Sequence, residues 1–280
     1  MVEDRKALQP LRVAFQGEPG AYSEIAALRY FGGGITTVPH GTFRRILDAV
    51  SNGEANRAIL PVENSVEGTV GESYDLLLST DLPAVGETYL RVRHCLLGFG
   101  EIERIKTVYS HPQALGQCRR FLEDRGLEAI PTYDTAGSAE KILENREAPI
   151  ACIASKRVSE LYDVPIILEG IEDHEGNATR FLILAKDETQ STGRDKTSII
   201  FSTEHKPGSL YRILEIFNRY SVNLTKIESH PTRSTPWEYN FYVDFEGHVE
   251  DKEIGKMMEE VRKEAKFFKI LGSYPKAERS

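Results

Sequence analysis

The first two thirds of the chain repeat one hydrophobic pattern, a short apolar strand followed by a turn and an amphipathic helix. The repeats are LRVAFQ before YSEIAALRYF, RAILPV before VGESYDLLLS, IKTVYS before QALGQCRRFLEDRG, and IACIAS before KRVSELY, with a further helix at SAEKILEN. Such alternation predicts α/β layers with largely parallel strands. Helix N-termini then gather at the carboxyl ends of the strands, which is where we expect a ligand site.

The last third of the chain follows another order, strand, helix, strand, strand, helix, strand, over residues 197–275. Its segments are TSIIFST, SLYRILEIFNRYS, NLTKIESH, EYNFYVDF, KEIGKMMEEVRKEA and FFKILGSY. This order predicts a ferredoxin-like βαββαβ domain. The polar segment DETQSTGRD, residues 187–195, separates the two patterns, so we expect domains at 1–190 and 195–280.

Charge and composition exclude several classes of protein. The 280 residues carry a net charge of −8, and residues 195–280 balance acidic against basic side chains, so the first domain holds the whole negative charge. A nucleic-acid binder that works by bulk charge is therefore excluded. No apolar run approaches the roughly 18 residues of a membrane span, and MVEDRKALQP has no signal-peptide core. The three cysteines lie far apart without a CxxC pair, and we expect a soluble cytoplasmic protein.

The strand-to-helix turns of the first domain carry hydroxyls, amides or glycine. They hold Gly20 and Ser23; Asn64, Ser65 and Gly68; Ser110 and His111; Thr135, Gly137 and Ser138; and Ser155. Any one turn is typical of a simple helix N-cap. Five turns at one edge of a sheet predict a cleft for an anionic ligand, because helix N-termini present free N–H groups.

Motifs for cofactor and metal chemistry do not occur in the sequence. GFGEIE lacks the third glycine of a dinucleotide loop, and there is no GxxxxGK[ST], HExxH or GxSxG motif. Asp173, His174 and Glu175 are adjacent in a turn, which favours a solvated loop over a metal site. We therefore expect no cofactor and no metal.

Several of these turns match a known family. GEPGAYSEIAA, AILPVENSVEGTV, SHPQALGQC and the run from ACIASKRV to NATRF resemble the prephenate dehydratase family, and Thr179-Arg180-Phe181 matches its TRF motif. Residues from KTSIIF to DFEG resemble the ACT regulatory domain of that family. No helical chorismate-mutase segment precedes the first strand, so the chain resembles the single-activity form.

The resemblance implies a fold and a reaction. The fold is a two-lobed catalytic module like periplasmic binding proteins, with one lobe from 11–93 and 171–186 and the other from 94–170, followed by the ACT domain. The reaction turns prephenate into phenylpyruvate, CO2 and water for phenylalanine biosynthesis, with feedback by L-phenylalanine. Two other functions stay open: arogenate dehydratase, and a non-catalytic sensor of carboxylates or amino acids.

The resemblance also implies residue roles in the catalytic module. Thr179 would hydrogen-bond the departing hydroxyl, Phe181 would pack beside the substrate ring or against Thr179, and Arg180 would clamp a carboxylate unless it pairs with Glu63 or Glu67. Asn64 and Ser65 would face the cleft at the start of a helix. The proton donor stays open between Glu63, Glu67 and water. Further substrate-binding residues would be Ala21, Ser23, Glu63, Gly68, His111 and Gln113.

In the ACT domain the resemblance implies an L-phenylalanine site and pairing of chains into homodimers or tetramers. The effector-binding residues would be Gly208, Ser209, Leu210, Asn223, Leu224, Glu228, Ser229 and His230. His230 stands where many members carry arginine in an ESRP motif. Histidine is shorter and lacks the guanidinium fork, so the strength of inhibition depends on this position.

Overall fold

The computed structural model describes residues 10–132, 138–232 and 238–278, so Thr135 and Gly137 lie outside the described residues. The strands are β1 (Arg12–Gln16), β2 (Thr36–His40), β3 (Arg57–Asn64), β4 (Gly68–Thr69), β5 (Ala84–Arg91), β6 (Cys95–Gly98), β7 (Thr107–Ser110), β8 (Glu128–Pro131), β9 (Ile150–Ala154), β10 (Ile166–Glu169), β11 (Ala178–Leu184), β12 (Asp195–Ser202), β13 (Leu224–Pro231), β14 (Tyr239–Glu246) and β15 (Phe267–Pro275). The helices are α1 (Tyr22–Phe31), α2 (Phe43–Ser51), α3 (Gly71–Ser79), α4 (Pro112–Gln117), α5 (Arg119–Asp124), α6 (Ser138–Glu144), α7 (Lys156–Tyr162), α8 (Ser209–Arg219) and α9 (Lys252–Glu264).

Two sheets build the first part of the chain. The first has the order β2-β1-β3-β11-β5, with β4 paired to β3, and the second has the order β10-β6-β9-β7-β8. β1 runs parallel to β2 and β3, and β7 runs parallel to β8 and β9, whereas β6 is antiparallel to β9 and β10. The predicted α/β class is confirmed, and the second sheet is mixed.

The predicted long helix QALGQCRRFLEDRG is two short helices, α4 and α5. They meet at Cys118, whose φ of −117° and ψ of 22° leave the helical range. The amide N–H of Cys118 donates to the carbonyl of Leu115, three residues back, instead of to that of Ala114, four residues back, as in a regular α-helix. Cys118 is fully buried in the core of the second sheet, with Leu115 and Phe121 beside it. Burial of Cys118 holds the chain in place where the two helices meet, and it also raises the pKa of the Cys118 thiol.

Packing divides the chain into two compact units. One comprises Met1–Gly71 and Tyr89–Phe181, and the other comprises Glu72–Thr88 and Leu182–Arg279. The domain boundaries expected from the sequence, 1–190 and 195–280, stay a prediction. No helix within the described residues is long and apolar enough to cross a lipid bilayer.

The C-terminal part of the second unit has the predicted βαββαβ order, with the sheet order β13-β14-β12-β15. β12 is antiparallel to both β14 and β15, and β13 is antiparallel to β14 at the edge of the sheet. Ile199, Phe245 and Met257 are among the fully buried side chains that join the sheet to α8 and α9. The ferredoxin-like prediction is therefore confirmed.

Replacing Gly272 by alanine is expected to destabilise the second unit by about 3 kcal/mol. This figure adds the typical cost of overpacking to that of a strained backbone conformation. Gly272 has a φ of +149°, and an added Cβ would lie 2.1 Å from the carbonyl oxygen of Ala84. Urea unfolding of the full chain measures the loss. Gly33→Ala is the matched control, because its Cβ would meet nothing within 4 Å. Equal midpoints for both variants would contradict the close approach at Gly272.

Candidate functional site

A cavity of about 940 Å³ lies in the first unit, and most of its lining comes from turns at the ends of strands. The turn after β1, the hairpin between β3 and β4, the start of α4 and the start of β11 all contribute to its walls. Of the expected site residues, the lining includes Ala21, Ser23, Asn64, Gly68, His111, Gln113, Thr179 and Phe181. Three of the five expected turns therefore contribute to the lining, those with Ser23, with Asn64 and Gly68, and with His111, whereas Ser138 and Ser155 do not line it.

Asn64 lies in a hairpin turn, and the expectation that it begins a helix is wrong. Its Oδ1 accepts the backbone N–H groups of Val66 at 2.9 Å and Glu67 at 3.0 Å, which closes an Asx turn. Gly68, with a φ of +83°, then leads the chain back along β3 as β4. The next helix, α3, begins only at Gly71.

Thr179, at the start of β11, receives a hydrogen bond from Asn64. The Nδ2 of Asn64 donates to Thr179 Oγ1 at 3.1 Å and to Asn177 Oδ1 at 2.7 Å. Within the described residues no protein group accepts the Thr179 hydroxyl proton. Thr179 lines the cavity, so its hydroxyl is placed to donate to a ligand while Asn64 polarises it.

A chain of side-chain amides continues from Asn64 to a carboxylate. Asn177 Nδ2 donates to Gln117 Oε1 at 2.9 Å, and Gln117 Nε2 donates to Glu67 Oε1 at 2.6 Å. Gln113 Nε2 donates to the other oxygen of Glu67 at 2.6 Å. The two backbone N–H groups that donate to Asn64 Oδ1 fix which end of that amide is the oxygen. The orientations of the Asn177 and Gln117 amides then follow, because each must accept from the amide before it. The donors therefore point outward from Asn64 in two directions, to Thr179 on one side and through Asn177 and Gln117 to Glu67 on the other.

Arg180 does not line the cavity, and its expected contact with a substrate carboxylate is not supported. Successive side chains of a strand point to opposite faces, so Thr179 and Phe181 face the cavity while Arg180 points away. Arg180 is 5% exposed, and its Nη1 lies 3.9 Å from Glu63 Oε2. The ion pair with Glu63, the alternative left open by the sequence, is the arrangement observed. Glu63 is likewise absent from the lining.

Ser65 also lies outside the cavity lining. Its Oγ donates to the carbonyl of Gly176 at 3.0 Å and accepts the backbone N–H of Ala178 at 2.9 Å. The backbone N–H of Ser65 bonds to the Ala178 carbonyl at 2.8 Å. Ser65 therefore ties the hairpin turn to the start of β11 and holds Asn64 beside Thr179.

The turn before α1 needs glycine at position 20. Gly20 has a φ of +95°, and an added Cβ would lie 2.6 Å from Val158 Cγ2. Ser155 Oγ donates to the Gly20 carbonyl, and Gly20 N–H donates to Glu24. Burial alone would raise the pKa of Glu24, but hydrogen bonds from Arg157, Gly20 and Thr37 outweigh it and lower that pKa. These contacts fix the turn that brings Ala21 and Ser23 to the cavity.

Several cavity residues were not predicted from the sequence, among them Tyr22, His94 and Gln117. Gln117 follows Gln113 by four residues, so helical spacing would have placed both on one face. His94 precedes the apolar strand CLLG, where a single polar residue gives little signal. His111, which was expected, caps α4, and its Nδ1 accepts the N–H of Gln113 at 3.2 Å.

The cavity has an unusual charge for a site that was expected to bind an anion. Among its described lining residues there is no lysine or arginine, and Glu18 and Glu67 are the acidic ones. A carboxylate bound there must be held by neutral donors, such as the hydroxyl and amide groups above. Asp173, His174 and Glu175 form no metal-binding cluster in the part of the chain that the structure describes.

In the second unit, a cavity of about 270 Å³ lies at the N-terminus of α8. Gly208, with a φ of +81°, Ser209 and Leu210 line it together with Tyr239 and Phe241. The other expected effector residues, Asn223, Leu224, Glu228, Ser229 and His230, do not line this cavity. The structure thus separates the expected effector residues into two groups.

The second group lies on and just before the edge strand β13. Glu228 and His230 share one face, where His230 stacks on Tyr74 with ring centroids 5.1 Å apart and lies 3.6 Å from Glu228 Oε1. Ser229 pairs with Phe241 and faces the other side. Leu224 packs at the rim of the core, and the Asn223 carbonyl accepts the N–H of Glu246.

Comparison with known families and proteins agrees with this architecture. Residues 13–189 match the family model described as prephenate dehydratase, and residues 197–264 match that of the ACT domain. The chain is 41% identical over 283 residues to an Arabidopsis thaliana protein named arogenate dehydratase/prephenate dehydratase 1, chloroplastic, covering 95% of this chain and 72% of that protein.

Two solved structures superimpose over 95% of this chain with a TM-score of 0.85. One, from Arthrobacter aurescens, is a prephenate dehydratase in complex with L-Phe, with 29% identity and 90% of its own chain covered. The other, GqqA, is described as a novel type of quorum-quenching acylase, with 34% identity and 98% of its chain covered. Since the family model matches well over half of the sequence, the chain belongs to the prephenate dehydratase family and carries a C-terminal ACT domain.

Proposed function

We propose that this protein is a cytoplasmic prephenate dehydratase, with a catalytic domain at 1–190 and a regulatory ACT domain at 195–280. One observation carries the proposal: the Thr179 hydroxyl lines the cavity, accepts from Asn64 and keeps its own proton for a ligand. Three free, buried cysteines agree with a reducing compartment. Burial raises the pKa of Cys95 to about 11 and that of Cys152 to about 12, so they are unreactive.

The reaction needs few chemical groups from the protein. The bond between the ring and its carboxylate breaks and releases CO2, its electron pair moves into the ring, and the C–O bond at the opposite carbon breaks. The departing oxygen leaves as water, so one proton is consumed overall. Aromatisation drives the reaction, and the protein has to place the departing hydroxyl against a donor. Thr179 would supply that donor.

The charge of the cavity supports loss of CO2. Decarboxylation removes a negative charge from the ring carboxylate, so a site without cationic side chains favours the product side of this step. The described lining residues include no lysine or arginine, and Glu67 lies on the same wall as Gln113 and Gln117. The amide N–H groups that are not used by Glu67 remain available to hold the substrate.

The direct test follows phenylpyruvate formation from prephenate by its absorbance, with purified full-length protein. Turnover that is lost in Thr179→Val supports the proposal. Binding of prephenate by calorimetry without any turnover in the wild-type protein would instead establish the non-catalytic sensor.

Arogenate is the second candidate substrate. Arogenate carries an ammonium group where prephenate has a keto group, and the acidic Glu18 and Glu67 of the lining suit a cation. The plant relative is named for both substrates. Parallel assays with the two compounds, compared by kcat/KM, decide which one this protein prefers.

Acylase activity, the activity named for GqqA, has less support from the site. Nucleophilic acyl transfer needs a nucleophile next to a base. Ser23 is the one serine among the described cavity residues, and it makes no hydrogen bond to a histidine there.

We further propose that L-phenylalanine binds the ACT domain and inhibits the enzyme, and that ACT domains pair chains into homodimers or tetramers. The cavity beside Gly208, Ser209 and Leu210 has backbone N–H groups at the start of α8, which suit an α-carboxylate. Tyr239 and Phe241 provide aromatic surface for a phenyl ring. The remaining effector residues, on and just before β13, would complete the site from a neighbouring chain.

Replacing His230 by arginine is expected to change the dissociation constant of L-phenylalanine by at least about tenfold, because arginine supplies a bidentate donor for a carboxylate. It would also disturb the stacking of His230 on Tyr74. Calorimetry between pH 6 and pH 8 measures the affinity. Equal affinities for both proteins across this range would show that His230 takes no part in effector binding.

A further inference from the structure

His94 is a buried polar residue in the lining of the cavity. It lies between β5 and β6 and is 2% exposed. Its backbone N–H donates to Glu172 Oε2 at 2.9 Å, and its carbonyl accepts the N–H groups of Gly170 and Ile171. These hydrogen bonds fix the backbone of His94 independently of the contacts that its ring makes.

The imidazole ring bridges Gln117 and Tyr22. Its Nε2 lies 2.8 Å from Gln117 Oε1, and its Nδ1 lies 3.0 Å from Tyr22 Oη. The Tyr22 ring packs edge-on against the imidazole, with centroids 5.4 Å apart. Both ring nitrogens thus have polar partners inside the protein.

The partners decide which nitrogen carries the proton. Gln117 Oε1 is a carbonyl oxygen that already accepts from Asn177, so His94 Nε2 must donate. Burial lowers the pKa of His94 against the opposing effects of the Gln117 hydrogen bond, Glu172 and Glu67. The ring is then neutral near pH 7, with the proton on Nε2, and Nδ1 shares the single Tyr22 hydroxyl proton with the Arg93 carbonyl, which lies 2.7 Å from Tyr22 Oη.

Two N–H donors on one oxygen give the Gln117 amide a single orientation. If the amide rotated by 180°, its NH2 group would face the NH groups of His94 and Asn177, and its oxygen would face the Glu67 carboxylate. The contacts with Asn177 and Glu67 would be repulsive, and His94 would have to move its proton from Nε2 to Nδ1. Without the His94 donor, one of the three interactions that oppose this rotation is lost.

We propose that His94 is a positioning residue for the dehydratase reaction, which fixes the Gln117 amide and thereby the hydrogen bonds that run from Asn64 through Asn177 and Gln117 to Glu67. This inference rests on the proposed function. His94 acts through Gln117, whose second N–H remains free for the substrate within the described residues. The residue was not indicated by any motif of the sequence.

The test measures kcat and KM for prephenate with full-length His94→Leu, His94→Gln and His94→Asp. His94→Leu removes the donor, and we expect kcat to fall about 10²-fold, the effect of a misplacement of about 1 Å at a reacting group. KM should change less than about threefold, because Gln117 still lines the cavity. His94→Gln restores an N–H at similar reach and should recover at least tenfold, whereas His94→Asp offers no donor and should not.

His248→Leu is the matched control for loss of a buried histidine, since His248 is 2% exposed, lies in the second unit and bonds to the Thr189 carbonyl. We expect its kcat to stay within about threefold of wild type. Nitrogen-15 NMR of histidine-labelled protein gives a second measurement, with the His94 signals identified by their absence in His94→Gln. They should show a neutral ring protonated at Nε2.

Three results would overturn the proposal: wild-type kcat in His94→Leu, equal losses in His94→Gln and His94→Asp, or a ring protonated at Nδ1 alone. The NMR result stands even if His94→Leu does not fold. If the wild-type protein did not turn over prephenate, the proposed function itself would be wrong. If the wild-type protein is active and the His94 variants are equally active, only the role of His94 is wrong.

Discussion

Thr179→Val is expected to lower kcat for prephenate about 10³-fold, at the upper end of the loss typical when one donor at a reacting oxygen is removed. Valine keeps the shape and β-branching of threonine and removes only the hydroxyl. The Nδ2 group of Asn64 would then keep its bond to Asn177 and lose the one to Thr179. Since Thr179 is placed at the cavity, the loss should appear in kcat, with the unfolding free energy changed by about 1 kcal/mol.

Thr179→Ser is the matched control, because it retains the hydroxyl and its bond from Asn64. Its kcat should stay within about tenfold of wild type, the difference reflecting the freer rotation of a serine side chain. Steady-state kinetics on both variants, with urea unfolding in parallel, measure the two effects. If Thr179→Val and Thr179→Ser lost the same factor, the hydroxyl would have no special role and the proposed mechanism would fail.

The elements of this fold could be read from local sequence because their periods are regular. α1 has the bounds predicted from YSEIAALRYF, and the βαββαβ order of the C-terminal domain followed from six apolar segments. The hairpin at Asn64 could not be read in this way. It depends on a side chain that caps its own turn and on Ser65, whose partners Gly176 and Ala178 lie more than 100 residues away.

The candidate site shows the same limit. The TRF motif pointed to Thr179, but the roles of its neighbours depend on which face of β11 each side chain takes, and the sequence left Arg180 open between a substrate carboxylate and an ion pair with Glu63. Gln117 and His94 contribute through contacts with Asn177 and Tyr22 that join distant segments. Such contacts join segments that are far apart in the sequence, so no local motif predicts them. The motif therefore pointed to Thr179, and the structure was needed to show which side chain donates to which.

Asn64→Asp is expected to lower kcat about 10²-fold while retaining the folded hairpin, a loss typical of one donor removed from a site. Aspartate keeps an oxygen for the N–H groups of Val66 and Glu67, so the Asx turn survives. It loses both N–H donors, and the new carboxylate faces Asn177 Oδ1 and Thr179 Oγ1 at the former donor positions. Thr179 would then donate its proton to this carboxylate in place of the substrate.

Comparison with Asn64→Ala separates the role of Oδ1 in the turn from the role of Nδ2 as a donor, because alanine removes both groups and aspartate removes only the donor. Asn64→Ala should also destabilise the protein by about 1–2 kcal/mol, as loss of a cap does. The double variant with Thr179→Val adds a sharper test. If Asn64 acts through the Thr179 hydroxyl, the double variant should lose little more than Thr179→Val alone, since residues that act as a unit are not additive. Multiplication of the two losses would mean that Asn64 contacts the substrate independently of Thr179.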